Sequence, residues 1–205
     1  MYVPRNMQME NAEHYHTLIE DFGFGVLITQ DLQVSHLPVY LVKDEGEKGV
    51  LYGHMARANP HWKALNSQQV KVIFNGPHSY ISPSWYAVGP AVPTWNYAAV
   101  HVTGRATLLN DEQTLAAVHA LVKQYEPALL DNEALMPADY QHKLAKAIVG
   151  FKIEITQIEG KQKLGQHKSI ADQQGTVIGL ERSKHPEAIA LLAYMQQTGI
   201  GLGKA

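Results

Sequence analysis

Gly25-Val26-Leu27-Ile28-Thr29 and Val34-Ser35-His36-Leu37-Pro38-Val39-Tyr40-Leu41-Val42 are two apolar runs separated only by Gln30 to Gln33. In the second run Leu37, Val39 and Leu41 alternate with residues of the opposite face, the period of a half-buried strand. The short connection makes the pair a hairpin. An antiparallel β core is therefore the starting point.

Upstream, Tyr15, Leu18, Ile19 and Phe22 recur at helical spacing behind a candidate N-cap, Asn11, and Gly23 and Gly25 stop the helix. Downstream, Lys43 to Gly49 is a charged loop and Val50 to Met55 a third strand. Asn59-Pro60 has the chemistry of a helix start, with Trp62 and Leu65 on one side of the helix. Val70 to Phe74 reads as a fourth strand ended by a turn at Gly76-Pro77-His78. Tyr80 to Val92 is rich in proline and aromatics, strand then loop, and Tyr97 to Leu109 is a long strand. Asn110 and Gln113 have capping-box spacing for a helix to about Tyr125. A shorter helix follows at Asp139 to Ile148, then a strand at Val149 to Glu159. Lys161 to Gln174 is a polar segment, and a last helix runs from Pro186 to Gln197. Strands do not alternate strictly with helices. The fold class expected is α+β, a small antiparallel barrel with helices packed outside.

The chain of 205 residues is 45% apolar and 18% charged, ordinary globular values. It has no cysteine, which removes disulfides, thiolate metal sites and cysteine nucleophiles. The histidines show no metal-ligand spacing, so no metal site is expected. There is no signal-peptide pattern and no membrane-length apolar run, so a cytoplasmic protein without membrane contact is expected. A formal charge of −2 gives no basic footprint for nucleic acid. Ser82 and Ser84 lack a nucleophile elbow, and Gly199-Ile200-Gly201-Leu202-Gly203 lacks the strand–turn–helix setting of a nucleotide loop.

Five blocks carry a family resemblance. They are Ser35 to Pro38, His54 to Trp62 (His-Met-Ala-Arg-Ala-Asn-Pro-His-Trp), Phe74 to Tyr86, Val92 to His101, and Lys163 to Lys168. In this order and spacing they span most of residues 2 to 182, and the chain resembles the PaiB family of FMN-binding negative transcriptional regulators. The resemblance implies a six-stranded antiparallel split β-barrel with peripheral helices, binding FMN and forming a homodimer with the cofactor near the subunit interface. It implies a barrel domain over residues 1–160, with residues 161–205 a C-terminal segment and helix packed on that same domain. His167 stands where family members commonly carry Asn or Ser.

Within the second block a strand ends at His54-Met55, a turn follows at Ala56, and a helix is expected to open at Asn59. Arg57 lies just ahead of it, placed to grip a phosphate with its guanidinium while the helix N-terminus offers free N–H groups. His54 is a candidate donor to flavin atoms, His61 is expected to be solvated, and Trp62 is read first as packing within the same cofactor block. Trp95, Asn96 and Tyr97 precede the long strand, where split-barrel relatives meet the flavin ring edge. Lys163 and Gln166 belong to a locally basic segment, either a solvated loop or a cover over the pocket. Direct nucleic-acid binding is not expected, since no recognition helix carries base- and phosphate-reading side chains together. A flavin-sensing or flavin-stabilised regulator is the first reading. A flavin-dependent oxidoreductase is the second, because the cofactor itself does hydride chemistry. A haem-binding barrel is the third.

Overall fold

A computed structural model describes residues 1–204. Six strands close into a barrel in the order β1-β2-β3-β6-β5-β4. They are β1 (Phe24–Ile28), β2 (Val34–Val42), β3 (Val50–Ala56), β4 (Gln69–Ile81), β5 (Thr94–Leu108) and β6 (Ile148–Lys163). Five α-helices accompany them: α1 (Ala12–Asp21), α2 (Asp111–Tyr125), α3 (Ala138–Ala145), α4 (Ile170–Arg182) and α5 (Pro186–Thr198). This is the α+β split barrel expected from the sequence. The contacts divide the chain into two compact units, and β4, β5 and β6 contribute residues to both.

The first unit comprises His16–Phe74 and His101–Ile158. The β1–β2 hairpin pairs Phe24 with Pro38 through to Ile28 with Val34. β3 then pairs with β6 from Val50↔Glu154 to Ala56↔Ile148, and β4 with β1 across Val26↔Ile73. Alternation sends Leu27, Val39, Leu51, Met55, Val72, Phe74, Phe151 and Ile153 inward, all nearly or wholly buried. Gly53 makes room for them, because a Cβ there would lie 2.7 Å from the Phe151 ring and 2.8 Å from Val39. Asn110 and Gln113 form the expected capping box of α2, whose buried Thr114 rests on Gly150.

The second unit comprises Met1–Tyr15, Asn75–Val100 and the chain from Glu159 on. Here β4 corrects the expected turn: the strand runs through Gly76, Pro77 and His78 to Ile81. The β1 register covers Lys71 to Ile73 only, so further along β4 that edge is not held by β1, and a proline without an N–H is tolerated there. The expected polar tail also resolves differently. Lys161 and Gln162 are buried strand residues near the end of β6, and α4 begins at Ile170 behind the N-cap Ser169. The Lys161 ammonium donates to the Tyr2 carbonyl at 3.1 Å and lies 5.3 Å from the Tyr97 ring centre, which compensates its burial. Asn6 and Gln162 accept from Gln166, tying the N-terminal segment to this strand.

Gly104 of β5 tests the barrel's tightness. A Cβ there would sit 2.5 Å from the Glu154 carbonyl oxygen and 2.6 Å from Ile153 Cγ2. Backbone cannot yield as a side-chain tip does, so Gly104→Ala should destabilise the protein by about 1–3 kcal/mol in urea unfolding. An unchanged midpoint would mean that β5 and β6 are not packed this closely.

Candidate functional site

The residues singled out by the second sequence block all lie in the first unit, where β3 ends. Past the last rung of the β3–β6 ladder, Arg57 binds three successive carbonyls. Its backbone N–H donates to Ala147 at 2.8 Å, its Nε to Lys146 at 2.8 Å and one terminal nitrogen to Ile148 at 2.9 Å. The guanidinium is exposed and held in a fixed orientation, with further N–H donors not engaged by these carbonyls. Trp62 Nε1 donates to the Arg57 carbonyl at 3.0 Å, so this ring braces the same turn. Met55 is buried inside the barrel and Ala56 is exposed.

The helix expected at Asn59 is a 3-10 helix, Pro60–Ala64. Asn59 caps it by accepting from the His61 N–H, and Pro60 has no N–H to offer. Too short for an appreciable dipole and with its first donor already engaged, it supplies no anion site of its own; the cation at this turn is Arg57.

His61, expected to be solvated, is instead 2% exposed. Its Nε2 lies 2.9 Å from Thr29 Oγ1 and its Nδ1 2.8 Å from Ser35 Oγ. The network assigns the tautomer. The Asp31 carboxylate can only accept, so Thr29 donates to it at 2.6 Å and takes the Nε2 proton as acceptor. Nδ1 is then the acceptor for the Ser35 hydroxyl, whose oxygen receives Asn59 Nδ2 at 3.1 Å. Burial depresses the basicity of His61 and outweighs the opposing pull of Asp31. His54 is half-buried on the outer side of β3, opposite Gly150, and burial lowers its pKa too.

The other candidates lie in the second unit. Asn96 is 2% exposed, Trp95 is 52% exposed and Tyr97 is half-buried. Lys163 donates to Thr94 Oγ1 and to the Trp95 carbonyl, and its pKa is lowered by burial and then by Lys161 and Lys168. Gln166 is used internally: its carbonyl accepts from Leu164 N–H at 2.8 Å and its amide donates to Gln162 at 2.7 Å. Sequence reasoning missed the Thr29–His61–Ser35 network, which no local pattern announces.

Residues 1–157 match a family model described as "Putative FMN-binding domain". A Bacillus subtilis protein, protease synthase and sporulation protein PAI 2, is 33% identical, the alignment covering 96% of this chain and 97% of the relative. This chain belongs to the PaiB-type FMN-binding family. An uncharacterized protein of Emericella nidulans is 32% identical over 80% of this chain and 84% of its own length. The PaiB-type fold is also similar to the flavocytochrome Anf3 of Azotobacter vinelandii, with a TM-score of 0.57 and 15% identity over 80% of this chain and 73% of that one. A FAD- and haem-binding protein of Mycobacterium smegmatis gives 0.58 and 14% over 78% and 74%. No helix among the described residues of this PaiB-type chain is long and apolar enough to cross a membrane.

The neutral histidines generate a pH dependence. His16, His54, His61 and His167 all have pKa values lowered from 6.5, each chiefly by burial. Below pH 6.5 the unfolded chain takes up protons that the fold resists, so their contribution is full above 6.5 and is lost as the pH falls. Thermal midpoints should therefore drop progressively below pH 6.5. Ser35→Ala, which leaves His61 Nδ1 without its donor, should cost about 1–3 kcal/mol at neutral pH, and an unchanged midpoint would count against this hydrogen bond, as a flat wild-type pH–stability profile would against the burial of these histidines.

Proposed function

We propose that this chain binds FMN, with Arg57 as the principal phosphate ligand, and that the bound flavin serves a gene regulator as sensor or structural ligand. The observation that carries the reading is the tethered guanidinium. FMN ends in a phosphate ester of about −1.5 to −2 charge. Arg57 presents its remaining N–H donors in the planar geometry that phosphate oxygens accept, and its two carbonyl bonds limit the rotamer freedom lost on binding. His54, Met55, Ala56, Asn59 and Trp62 shape the turn around it. In the other unit, Trp95, Tyr97 and Lys163 are proposed as cofactor contacts, with buried Asn96 and internally bonded Gln166 holding their segment in place. Trp95 supports this with its exposed ring, and Lys163 with a second cation. The flavin brings its own electron chemistry; the protein contributes binding and orientation.

Regulation is proposed to be indirect. α4 and α5 are joined by only Ser183 to His185, but α5 contains no Lys or Arg to read phosphates, and Glu187 stands in its first turn. A cytoplasmic homodimer is the expected form. Supporting it, Phe24 (64% exposed) and Val34 (54% exposed) show apolar surface along the outer side of the β1–β2 hairpin.

Titration with FMN and with riboflavin isolates the phosphate contact. The wild type should prefer FMN, and Arg57→Met should lose roughly 10- to 100-fold of FMN affinity while riboflavin binding stays constant. Equal loss for both ligands would place the phosphate elsewhere. Light scattering should give twice the chain mass, and a low-salt gel shift should show no duplex binding.

A further inference from the structure

The second unit contains a cavity of about 390 Å3 whose lining shares one residue, Trp95, with the proposed flavin contacts. It is within the roughly 300–1,000 Å3 range of small-molecule sites. Its walls are aromatic: Tyr80, Trp85 and Trp95, with His78 beside them. Tyr80 and Trp95 meet edge to face, their ring planes 81° apart and centres 6.4 Å apart. His78 is inclined 35° to Trp95 at 6.1 Å. The Trp85 ring is seated on α4 at Gly179, where any Cβ would collide with it, so this wall is fixed. The rim is completed by Ser183, His185 and Glu187 of the α4–α5 connection.

Two features select the ligand. Rings set at right angles make the corner of a cage, which suits a rounded group offering several faces, whereas a flat ligand is better served by parallel walls. The only formally charged side chain on the lining is Glu187, and its carboxylate forms no ion pair among the described residues. No lysine or arginine lines the cavity. Electron-rich ring faces with one carboxylate attract a cation and repel a phosphate.

We propose that this aromatic corner is a binding site for an alkylated organic ammonium ion, with Tyr80, Trp85 and Trp95 as the cage and Glu187 as the counter-charge. The proposal rests on the cavity's own lining, and Trp95 is the one residue it shares with the proposed flavin contacts.

Tetramethylammonium is the probe, with neopentyl alcohol as a neutral ligand of similar shape, followed by calorimetry and by tryptophan fluorescence. The wild type should bind tetramethylammonium measurably and the alcohol at least about tenfold more weakly. Glu187→Gln and Tyr80→Leu, both at accessible positions, should each weaken the cation roughly three- to tenfold, and Glu187→Gln should leave FMN titration unchanged. Equal binding of cation and alcohol would make this a plain apolar pocket. Undiminished cation binding in both variants, or none in the wild type at millimolar probe, would overturn the proposal.

Discussion

The pairing of β3 with β6 is the constraint on which the barrel depends. It joins segments about a hundred residues apart along the chain, from Val50↔Glu154 to Ala56↔Ile148. Joining them costs loop-closure entropy, which rises only slowly with length. The inward row of this pair, Leu51, Met55, Phe151 and Ile153, supplies the apolar burial that offsets it. Arg57 extends the same pairing by one residue, taking carbonyls on either side of Ala147 with its side chain. The cation thus stands where it does because the barrel closes there. Its orientation belongs to the fold before any ligand arrives.

The polar cluster around His61 works at the same end of the first unit in a different way. A buried imidazole ordinarily destabilises unless both nitrogens find partners. Here a hydroxyl on each side accommodates one tautomer, and Asp31 and Asn59 orient the hydroxyls. The arrangement joins the β1–β2 hairpin to the turn after β3 through hydrogen bonds. It gives the site region a rigid support that responds to protons.

Much of this architecture was legible in the residues. The strand Val34–Val42 is bounded as its alternation indicates, and the α2 cap forms as Asn110 and Gln113 predict, since both signals are local. Gly76-Pro77 misled because its turn chemistry is real, yet β4 runs straight through it where its β1 edge is no longer held. α4 escaped because its buried face is made of Thr176, Gly179 and Leu180, too few apolar groups to raise a helical period, and because glycine lowers helix propensity. At the site, the residue types of the His54–Trp62 block drew notice to Arg57, while its carbonyl partners, 89 and 91 residues away, could not be foreseen. His61 looked like a surface residue because nothing nearby in sequence hints at Thr29 and Ser35.

Gly175 and Gly179 of α4 allow the Trp85 segment to approach the helix without intervening side chains. That seat lies beyond residue 157, where the family-model match ends, but within the 96% of the chain that aligns with the Bacillus subtilis relative. A side chain at position 179 would displace the Trp85 ring, so the shape of this corner is set by a glycine of α4 as much as by the aromatic residues themselves.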